Sequence, residues 1–310
     1  MTFDSPNIAL WPILRDTNPP MTWKQFTQPE NVFSLTPLQN GGCLAGTDRG
    51  LWAWNPKKKQ WQPFATQFEQ VPISAVAAAG ETLLIGSNGD IAYSKDSGAT
   101  WTLASLVVKS HVFGLAMSPN FAQDGLAFAA TARDGVLRSP DGGETWYAWN
   151  FGLIDLSVNS LVFSPNFAED DTLFAGTELG VFISQNQGRA WRELGFPNDC
   201  GPVVALAMAD NETLLAATEG HGLMQARSPY ADWSPVTAIK ADGINAILAQ
   251  NHANIAATTS GIYSATQNNG KSQKSQKWAR VSNIEDAVAL TRLSDNTLVV
   301  GTAGSGIWQG

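Results

Sequence analysis

A chain of 310 residues, 44% of them hydrophobic, is long enough to bury a large core. Its formal net charge of −8 argues against nucleic acid as a partner, because phosphate backbones are bound by clustered Lys and Arg. The two basic clusters, Lys57 to Lys59 and Lys271 to Lys277, fall in predicted turns and are expected to be solvated hairpin tips.

The first segment of the chain, residues 1–20, is predicted to be an extension ahead of one folded domain, residues 21–310. It contains Asp4 and Arg15 and lacks the basic start and apolar run of a secretory signal. No run of about 18 apolar residues occurs in the sequence, so no membrane span is predicted. We therefore expect a cytoplasmic protein.

The two cysteines give no sign of a metal or redox site. Cys43 lies in an apolar strand pattern and is predicted to be a small buried hydrophobe. Cys200 lies far away in a loop, so the sequence neither demands a disulfide nor rules one out. Neither cysteine has a histidine beside it, and we predict no metal and no cofactor.

One pattern recurs along the chain. A short apolar strand ends in Gly or Ala followed by Thr or Ser, and after a short turn an aliphatic residue opens another strand. Self-similarity at a regular period is typical of repeat architectures. Seven copies occur, at Ala45–Leu51, Ile85–Ile91, Ala129–Val136, Ala175–Val181, Ala216–Leu223, Ala256–Ile262 and Val300–Ile307.

A tryptophan follows each of the first six copies, at Trp61, Trp101, Trp146, Trp191, Trp233 and Trp278. The intervals of 40, 45, 45, 42 and 45 residues are typical of a four-stranded propeller blade. The sequence ends at Gly310, which leaves no room for the repeat tryptophan after the seventh copy, whereas Trp23 lies 38 residues ahead of Trp61. We predict that Met21–Phe26 supplies the outermost strand of the last blade and closes the ring, which pairs edges that an open ring would expose.

The predicted fold is therefore all-β, a seven-bladed β-propeller with four-stranded antiparallel blades. Short alternating runs bounded by Gly, Pro, Asn and Asp predict the strands of the third blade at Val112–Met117, Leu126–Thr131, Val136–Ser139 and Thr145–Ala148. The first strands of the other blades are predicted at Val32–Leu35, Ile73–Val76, Val158–Phe163, Val203–Met208, Ile244–Leu248 and Ala287–Leu290.

The hairpins before three of the tryptophans carry the most specific motif. Residues 94–101 and 139–146 match Ser-x-Asp-x-Gly-x-Thr-Trp, and residues 184–191 are a softened copy with Asn and Ala. An Asp or Asn side chain can bond the main-chain N–H groups of its own turn, glycine accepts positive φ, and tryptophan is expected to cover the gap between sheets. The predicted structural residues are Asp96, Gly98, Trp101, Asp141, Gly143, Trp146, Asn186, Gly188 and Trp191.

These hairpins resemble the Asp-box, or BNR, repeat. Families that share it include sialidases, oligoxyloglucan-type glycoside hydrolases, sortilin-like receptors and photosystem II assembly-factor propellers. The resemblance covers nearly the whole chain at the level of the fold, and it implies that the box is a structural turn remote from the active face. Residues 118–124 and 164–170, both Ser-Pro-Asn-Phe-Ala-x-Asp, resemble the same bacterial repeat proteins.

Strand alternation divides the loops of each blade between two faces. The turns between first and second and between third and fourth strands, boxes included, lie on what we call the box face. The turns between second and third strands, and the connectors between blades, lie on the mouth face, which surrounds the central channel. Rigid scaffolds often carry function in such loops. Our binding candidates on the mouth face are Asp48, Arg49, Arg133, Asp134, Glu178, Glu219 and His221, with Glu69, His111, Asp155 and Asp199 in the connectors.

The hypothesis that the protein is an enzyme depends on Asp48. Thr47-Asp48-Arg49-Gly50 resembles the turn that holds the base of the oligoxyloglucan hydrolases. Glycoside hydrolysis needs two carboxylates, and in that family the second comes from another propeller, which this chain lacks. Glu178 or Glu219 could substitute. The sialidase signature Arg-Ile-Pro does not occur.

Two hypotheses follow. The first is a non-enzymatic propeller that binds a protein partner or acts as an assembly scaffold, because the fold is complete and the catalytic set is not. The assembly-factor resemblance supports it, although those propellers carry an export signal and a basic surface that this sequence lacks. The second is a glycoside hydrolase or carbohydrate-binding module that uses Asp48 and a second carboxylate. A shared fold does not decide between them.

Overall fold

The computed structural model describes residues 22–106, 109–237, 239, 243–250, 253–266 and 278–310. The predicted extension, residues 1–20, and the basic stretch Lys271 to Lys277 lie outside the described residues. The described chain begins with a short strand, β1 (Lys24–Phe26), and continues through strands separated mainly by tight turns.

The first three blades follow in chain order. Blade 1 consists of β2 (Val32–Pro37), β3 (Cys43–Thr47), β4 (Gly50–Asn55) and β5 (Gln60–Phe64), followed by a 3₁₀ turn, Thr66–Phe68. Blade 2 consists of β6 (Ala75–Ala79), β7 (Thr82–Gly86), β8 (Ile91–Ser94) and β9 (Thr102–Leu103). Blade 3 consists of β10 (Ser105–Leu106), β11 (Val112–Met117), α1 (Phe121–Asp124), β12 (Ala127–Thr131), β13 (Val136–Ser139) and β14 (Thr145–Ala148).

The last four blades repeat the same order. Blade 4 consists of β15 (Val158–Phe163), α2 (Phe167–Asp170), β16 (Leu173–Thr177), β17 (Val181–Ser184) and β18 (Arg192–Glu193). Blade 5 consists of β19 (Val203–Met208), β20 (Thr213–Thr218), β21 (Gly222–Arg227) and β22 (Trp233–Pro235). Blade 6 consists of β23 (Ile244–Gln250), β24 (Ala253–Thr258), β25 (Gly261–Thr266) and β26 (Trp278–Ser282). Blade 7 consists of β27 (Ala287–Arg292), β28 (Leu298–Thr302), β29 (Ile307–Gln309) and β1.

The seven sheets form a closed ring, as predicted. The first strand of every blade contacts the first strands of its two neighbours, and β2 of blade 1 contacts β27 of blade 7. β1 pairs antiparallel with β29, with Lys24 opposite Gln309 and Phe26 opposite Ile307. The N-terminal strand therefore completes the C-terminal blade, and the edge of β29 is covered.

The core is divided into seven clusters, one at each junction between neighbouring blades. The predicted tryptophans are distributed one to a junction; Trp146, for example, packs between blades 2 and 3 against Leu84 and Ala127. Trp23 occupies the same place between blades 6 and 7. The prediction that tryptophan covers the gap between sheets is confirmed.

The recurring Gly/Ala-Thr pair has a physical cause at the end of each second strand. In six blades the buried Thr hydroxyl donates to the carbonyl of the Gly that ends the turn, as from Thr131 to Gly135 at 2.7 Å. Blade 2 uses Ser87, which donates to the Asp90 carbonyl at 3.3 Å. The residue before it faces the next blade: a Cβ on Gly46 would lie 2.5 Å from the Ile73 carbonyl oxygen.

The observed strands differ from the predicted ones in several details. β6 begins at Ala75 rather than Ile73, and β12 begins at Ala127 rather than Leu126. Blade 3 gains an unpredicted fifth strand, β10, which runs parallel to β14 because the connector from blade 2 follows that edge. The first strand of every blade except blade 2 has a register shift directly after its first residue.

Helices contribute almost nothing to this fold. α1 and α2 are single turns in the repeated Ser-Pro-Asn-Phe-Ala-x-Asp segments, where Ser118 donates to Asp124 and Ser164 donates to Asp170, both at 2.6 Å. Within the part of the chain that is described, no helix is long and apolar enough to cross a bilayer.

Candidate functional site

The box hairpins show the turn chemistry that their residues predict. In blade 2, Asp96 accepts hydrogen bonds from Ser94 Oγ at 2.8 Å and from the N–H and hydroxyl of Thr100 at 2.8 and 2.6 Å. Gly98 takes a φ of +89°, and the Trp101 indole donates to its carbonyl at 3.1 Å. The hydrogen bonds of the Asp96 carboxylate are made within its own turn, which agrees with a structural role.

The boxes of blades 3 and 4 repeat this geometry with one difference. Asp141 accepts from Ser139 and from Thr145, and the Trp146 indole donates to the Gly143 carbonyl at 2.9 Å. In blade 4, Asn186 Oδ1 accepts from Ser184 Oγ and from the Ala190 N–H, both at 2.9 Å, and the Gly188 N–H donates to Ser184 Oγ. Here the Trp191 indole donates to the Trp149 carbonyl, in the connector from blade 3.

Hydrogen bonding lowers the pKa of both box carboxylates, Asp96 and Asp141. Bonds donated by Thr100 and Ser94 lower the pKa of Asp96 from 3.8 to about 2. Partial burial acts to raise the pKa of Asp141, but the hydrogen bonds from Thr145 and Ser139 outweigh it and the pKa is lowered. Both groups are therefore held as carboxylates at neutral pH.

The seven binding candidates all lie in turns between second and third strands, and antiparallel order places these turns on the mouth face. Asp48 and Asp134 are half-buried, whereas the side chains of the other five are exposed. The candidates Arg49, Arg133, Glu178, Glu219 and His221 are thus accessible.

Asp48 is a half-buried loop carboxylate with one positioned oxygen. Its Oδ2 accepts from Asn31 Nδ2 at 2.9 Å, and its Oδ1 is buried with no hydrogen-bond partner. The neighbouring Arg49 lines a shallow cleft with Glu69 of the blade 1–2 connector. This corner of the mouth face has one positioned carboxylate and a cation.

Glu178 belongs to a small hydrogen-bonded group at the junction of blades 3 and 4. Its Oε1 accepts from Ser157 Oγ at 2.9 Å. Asp155 Oδ1 accepts from the Ser157 N–H at 3.0 Å, and its Oδ2 accepts from the Leu179 N–H at 2.9 Å. These two carboxylates fasten the connector of residues 149–157 to the turn of blade 4.

Asp134 is tied to the same connector through its main chain. Asn150 Nδ2 donates to the Asp134 carbonyl at 2.8 Å, and Asn150 Oδ1 accepts from the Val136 N–H at 2.9 Å. In blade 5, the Glu219 N–H donates to the Pro202 carbonyl at 2.9 Å, which continues the ladder between the first two strands. The structure therefore places Asp134 beside the group of Glu178, and Glu219 in a different blade.

The candidates do not form a charged cluster among themselves. Across the described residues the ion pairs are Lys95–Glu144, Lys109–Asp90 and Arg227–Glu212, and none joins two candidates. The same residues contain no group of three or more His, Cys, Asp or Glu placed to hold a metal ion. Cys43 and Cys200 are both buried and free.

Exposed apolar side chains are concentrated on the mouth face. Ten large hydrophobic residues are exposed in the described part of the chain. Five lie in mouth-face loops: Val71, Phe151, Ile154, Leu156 and Leu179. The other five lie on strands, each within one residue of the strand's mouth end: Phe33, Leu103, Phe113, Tyr147 and Val281.

Sequence reasoning missed this apolar surface. The connector Trp149–Ser157 contains Phe151, Leu153, Ile154 and Leu156, which is unusually apolar for a loop and was a readable signal. Only the structure separates the buried Leu153 from its three exposed neighbours.

The mouth face is also acidic. Its described loops contain three side chains with a permanent positive charge, Arg49, Lys109 and Arg133. Against these stand eleven carboxylates: Glu30, Asp48, Glu69, Asp90, Asp134, Asp155, Glu178, Asp199, Glu219, Glu285 and Asp286. The face therefore combines exposed hydrophobic residues with a strong negative charge.

The fold defines the class of this protein: it is a seven-bladed β-propeller. No family model and no curated protein sequence matches the chain. Among solved structures it is similar to the extracellular domain of the one-component system BT4673 from B. thetaiotaomicron, with a TM-score of 0.72 and 14% identity. That match covers 92% of this chain and 39% of the other, so this chain spans well under half of its length.

Two further neighbours represent different functions. The GH74 xyloglucanase from Xanthomonas campestris has a TM-score of 0.71 and 17% identity, over 93% of this chain and 53% of that one. YCF48, solved bound to a D1 peptide, has a TM-score of 0.71 and 12% identity, over 94% of this chain and 97% of that one. At such identities these likenesses establish the fold, which occurs in both a hydrolase and a peptide-binding protein.

Proposed function

We propose that this protein is a non-enzymatic propeller that binds a protein partner, or assembles several, through its mouth face. The observation that carries the proposal is that the ten exposed large hydrophobic residues of the described chain lie in mouth-face loops or within one residue of the mouth end of a strand. Exposed apolar patches on a protein surface mark interaction sites. We also propose that the hairpins of Asp96, Asp141 and Asn186 are Asp-boxes of the BNR type, whose turns serve the scaffold.

Two observations support binding rather than catalysis. The carboxylates of Asp155 and Glu178 accept hydrogen bonds that fasten loops together, which is a structural use. YCF48 was solved bound to a D1 peptide, and it aligns with this chain over 94% of this chain and 97% of its own length. A propeller of this size can therefore serve as a binding protein.

A second candidate is a glycoside hydrolase or carbohydrate-binding module centred on Asp48. One specific observation favours it: Asp48 is a half-buried carboxylate on the mouth face, positioned by a hydrogen bond from Asn31 to its Oδ2. The fold likeness to a xyloglucanase agrees with it. Hydrolysis would still require a second carboxylate at a suitable separation.

The proposal can be tested by site-specific photo-crosslinking in an extract of the native host. A benzophenone amino acid is placed singly at the exposed mouth-face positions Arg133 and Glu219, and at the exposed box-face positions Lys58 and Glu169 as matched controls. We expect the mouth-face positions to capture the same discrete protein and the box-face positions to capture none. Capture from the box face alone would overturn the assignment.

The same preparations distinguish the second candidate. Incubation with xyloglucan oligosaccharides should release no more reducing sugar from the unmodified protein than from Asp48→Ala. Turnover that disappears in Asp48→Ala, together with the absence of any crosslinked protein, would replace the binding proposal with a hydrolase.

A further inference from the structure

We propose that the junction of blades 3 and 4 carries a preformed platform for a partner segment with large apolar side chains flanked by Lys or Arg. The platform consists of Phe151, Ile154, Leu156 and Leu179. This inference rests on the proposed function and names the chemistry of the partner.

The platform is the most exposed apolar group on the mouth face. Phe151 is 81% exposed, Ile154 71%, Leu179 59% and Leu156 41%. The Leu179 N–H donates to Asp155 Oδ2 at 2.9 Å, so the turn of blade 4 lies against the connector that holds the other three. The four side chains therefore belong to one surface, although they come from two loops.

The connector is braced at its beginning by contacts to both blades. The Arg138 guanidinium lies 4.9 Å from the centre of the Trp149 ring, and the Trp149 carbonyl accepts from the Trp191 indole at 2.9 Å. The Phe151 carbonyl accepts from the Trp191 N–H at 2.8 Å. Asn150 bonds the Asp134 turn through both ends of its amide.

The middle and end of the connector are equally fixed. Gly152 has a φ of +81°, and a Cβ there would lie 2.1 Å from the Trp191 carbonyl oxygen, so only glycine permits this close approach. Leu153 is buried in the core, and the Leu156 carbonyl accepts from the Gly135 N–H at 3.0 Å. Because the loop is already ordered, little conformational entropy remains to be lost when a partner binds.

Charge identifies the kind of occupant. Asp134, Asp155 and Glu178 border the platform, with Arg133 and Arg192 as the neighbouring cations, and the rest of the mouth face is strongly acidic. A basic, apolar segment is complementary to this surface, and its approach is accelerated by the field. A second copy of the chain would present the same acidic face, and a membrane rich in anionic lipid would be repelled for the same reason.

The test uses random twelve-residue peptides displayed on phage and selected on the full chain. The counter-selection uses Ile154→Ser/Leu179→Ser, and the matched control is Tyr147→Ser, which removes an exposed aromatic side chain on the outer strand β14, outside the platform. We expect enrichment of peptides that combine Leu, Ile or Phe with Lys or Arg. Fluorescence anisotropy of a selected peptide should show affinity about tenfold weaker for the double variant and unchanged for Tyr147→Ser.

Affinity should also fall steeply as salt rises. Selection of acidic peptides, equal binding to the double variant, or no enrichment would overturn the platform. Binding of the protein to anionic vesicles, or its self-association, lost in the double variant, would assign the surface to those occupants instead. If the crosslinked host protein is still captured at Arg133 or Glu219 in Ile154→Ser/Leu179→Ser, the platform fails while the proposed function stands.

Discussion

At the scale of single residues, a hairpin in this protein is organised by one carboxylate or amide. Asp96 gathers the hydroxyls of Ser94 and Thr100 and a main-chain N–H, while glycine supplies the positive φ that the turn needs. Asn186 keeps the Oδ1 contacts but has no second carboxylate oxygen. The difference between Asp and Asn in the same turn makes the contribution of charge measurable.

We expect the box carboxylates to make folding stability depend on pH in the acid range. Because the pKa of each is lowered in the folded state, their stabilisation is present above the unfolded pKa near 4. It is lost as pH falls towards about 2, the folded pKa of Asp96. Asp96→Asn/Asp141→Asn should be less stable at pH 7 and lose less stability between pH 5 and pH 2. Urea unfolding at several pH values measures this, and parallel curves for the two proteins would contradict it.

At the scale of elements, the second strand of each blade packs against the first strand of the next blade. It is buried along its whole length in β3, β12 and β16. Its last threonine closes the turn, and the small residue before it admits the first strand of the next blade. The Gly/Ala-Thr pair therefore meets two requirements: the threonine closes the turn, and the small residue leaves room for the neighbouring strand.

A methyl group added at this point should separate two blades. In Gly46→Ala the new Cβ would lie 2.5 Å from the Ile73 carbonyl oxygen, and relief requires backbone movement. We expect a loss of about 1–3 kcal/mol in the free energy of unfolding, typical of overpacking. The control Ala130→Gly, at the same position of blade 3, should cost only about 0.5–1 kcal/mol. Equal stability of Gly46→Ala and the wild type in urea unfolding would contradict this prediction, because it would mean that the two blades accommodate the methyl group.

At the scale of the whole molecule, closure depends on three residues of β1 and on Trp23. They join segments nearly the whole chain apart in sequence: Phe26 faces Ile307, and Trp23 lies against Gly310. Trp23 packs against the hydrophobic cluster that contains Leu298 and Ile255, so the N-terminal segment also covers the junction between blades 6 and 7. The ring is held shut by pairing and burial together.

Removal of this strand should open the ring in a way that a peptide reverses. A chain that begins at Asn31 lacks β1, and we expect a lower melting temperature and association through the uncovered β29 edge. A synthetic peptide of residues 22–30 should restore the melting temperature, and the same peptide with Trp23→Ala and Phe26→Ala should not. Size-exclusion chromatography and thermal unfolding measure both effects. A truncated chain as stable as the full one would refute closure by β1.

The amino-acid sequence by itself determined the number of blades, their order and the closing strand. These follow from local patterns, the Thr turn and the tryptophan, that each blade must contain to pack on the next. It also placed the binding candidates in the mouth-face turns, because strand alternation alone assigns a turn to one face or the other.

Only the tertiary structure decided which apolar residues of the connector remain exposed. Leu153 is buried and Ile154 beside it is not, because Leu153 packs in the core at the junction of blades 3 and 4. The Leu179 N–H donates to Asp155 of the connector, which lies 24 positions away in the chain. Exposure and proximity depend on which distant residues are brought together, and a local pattern in the sequence does not contain that information.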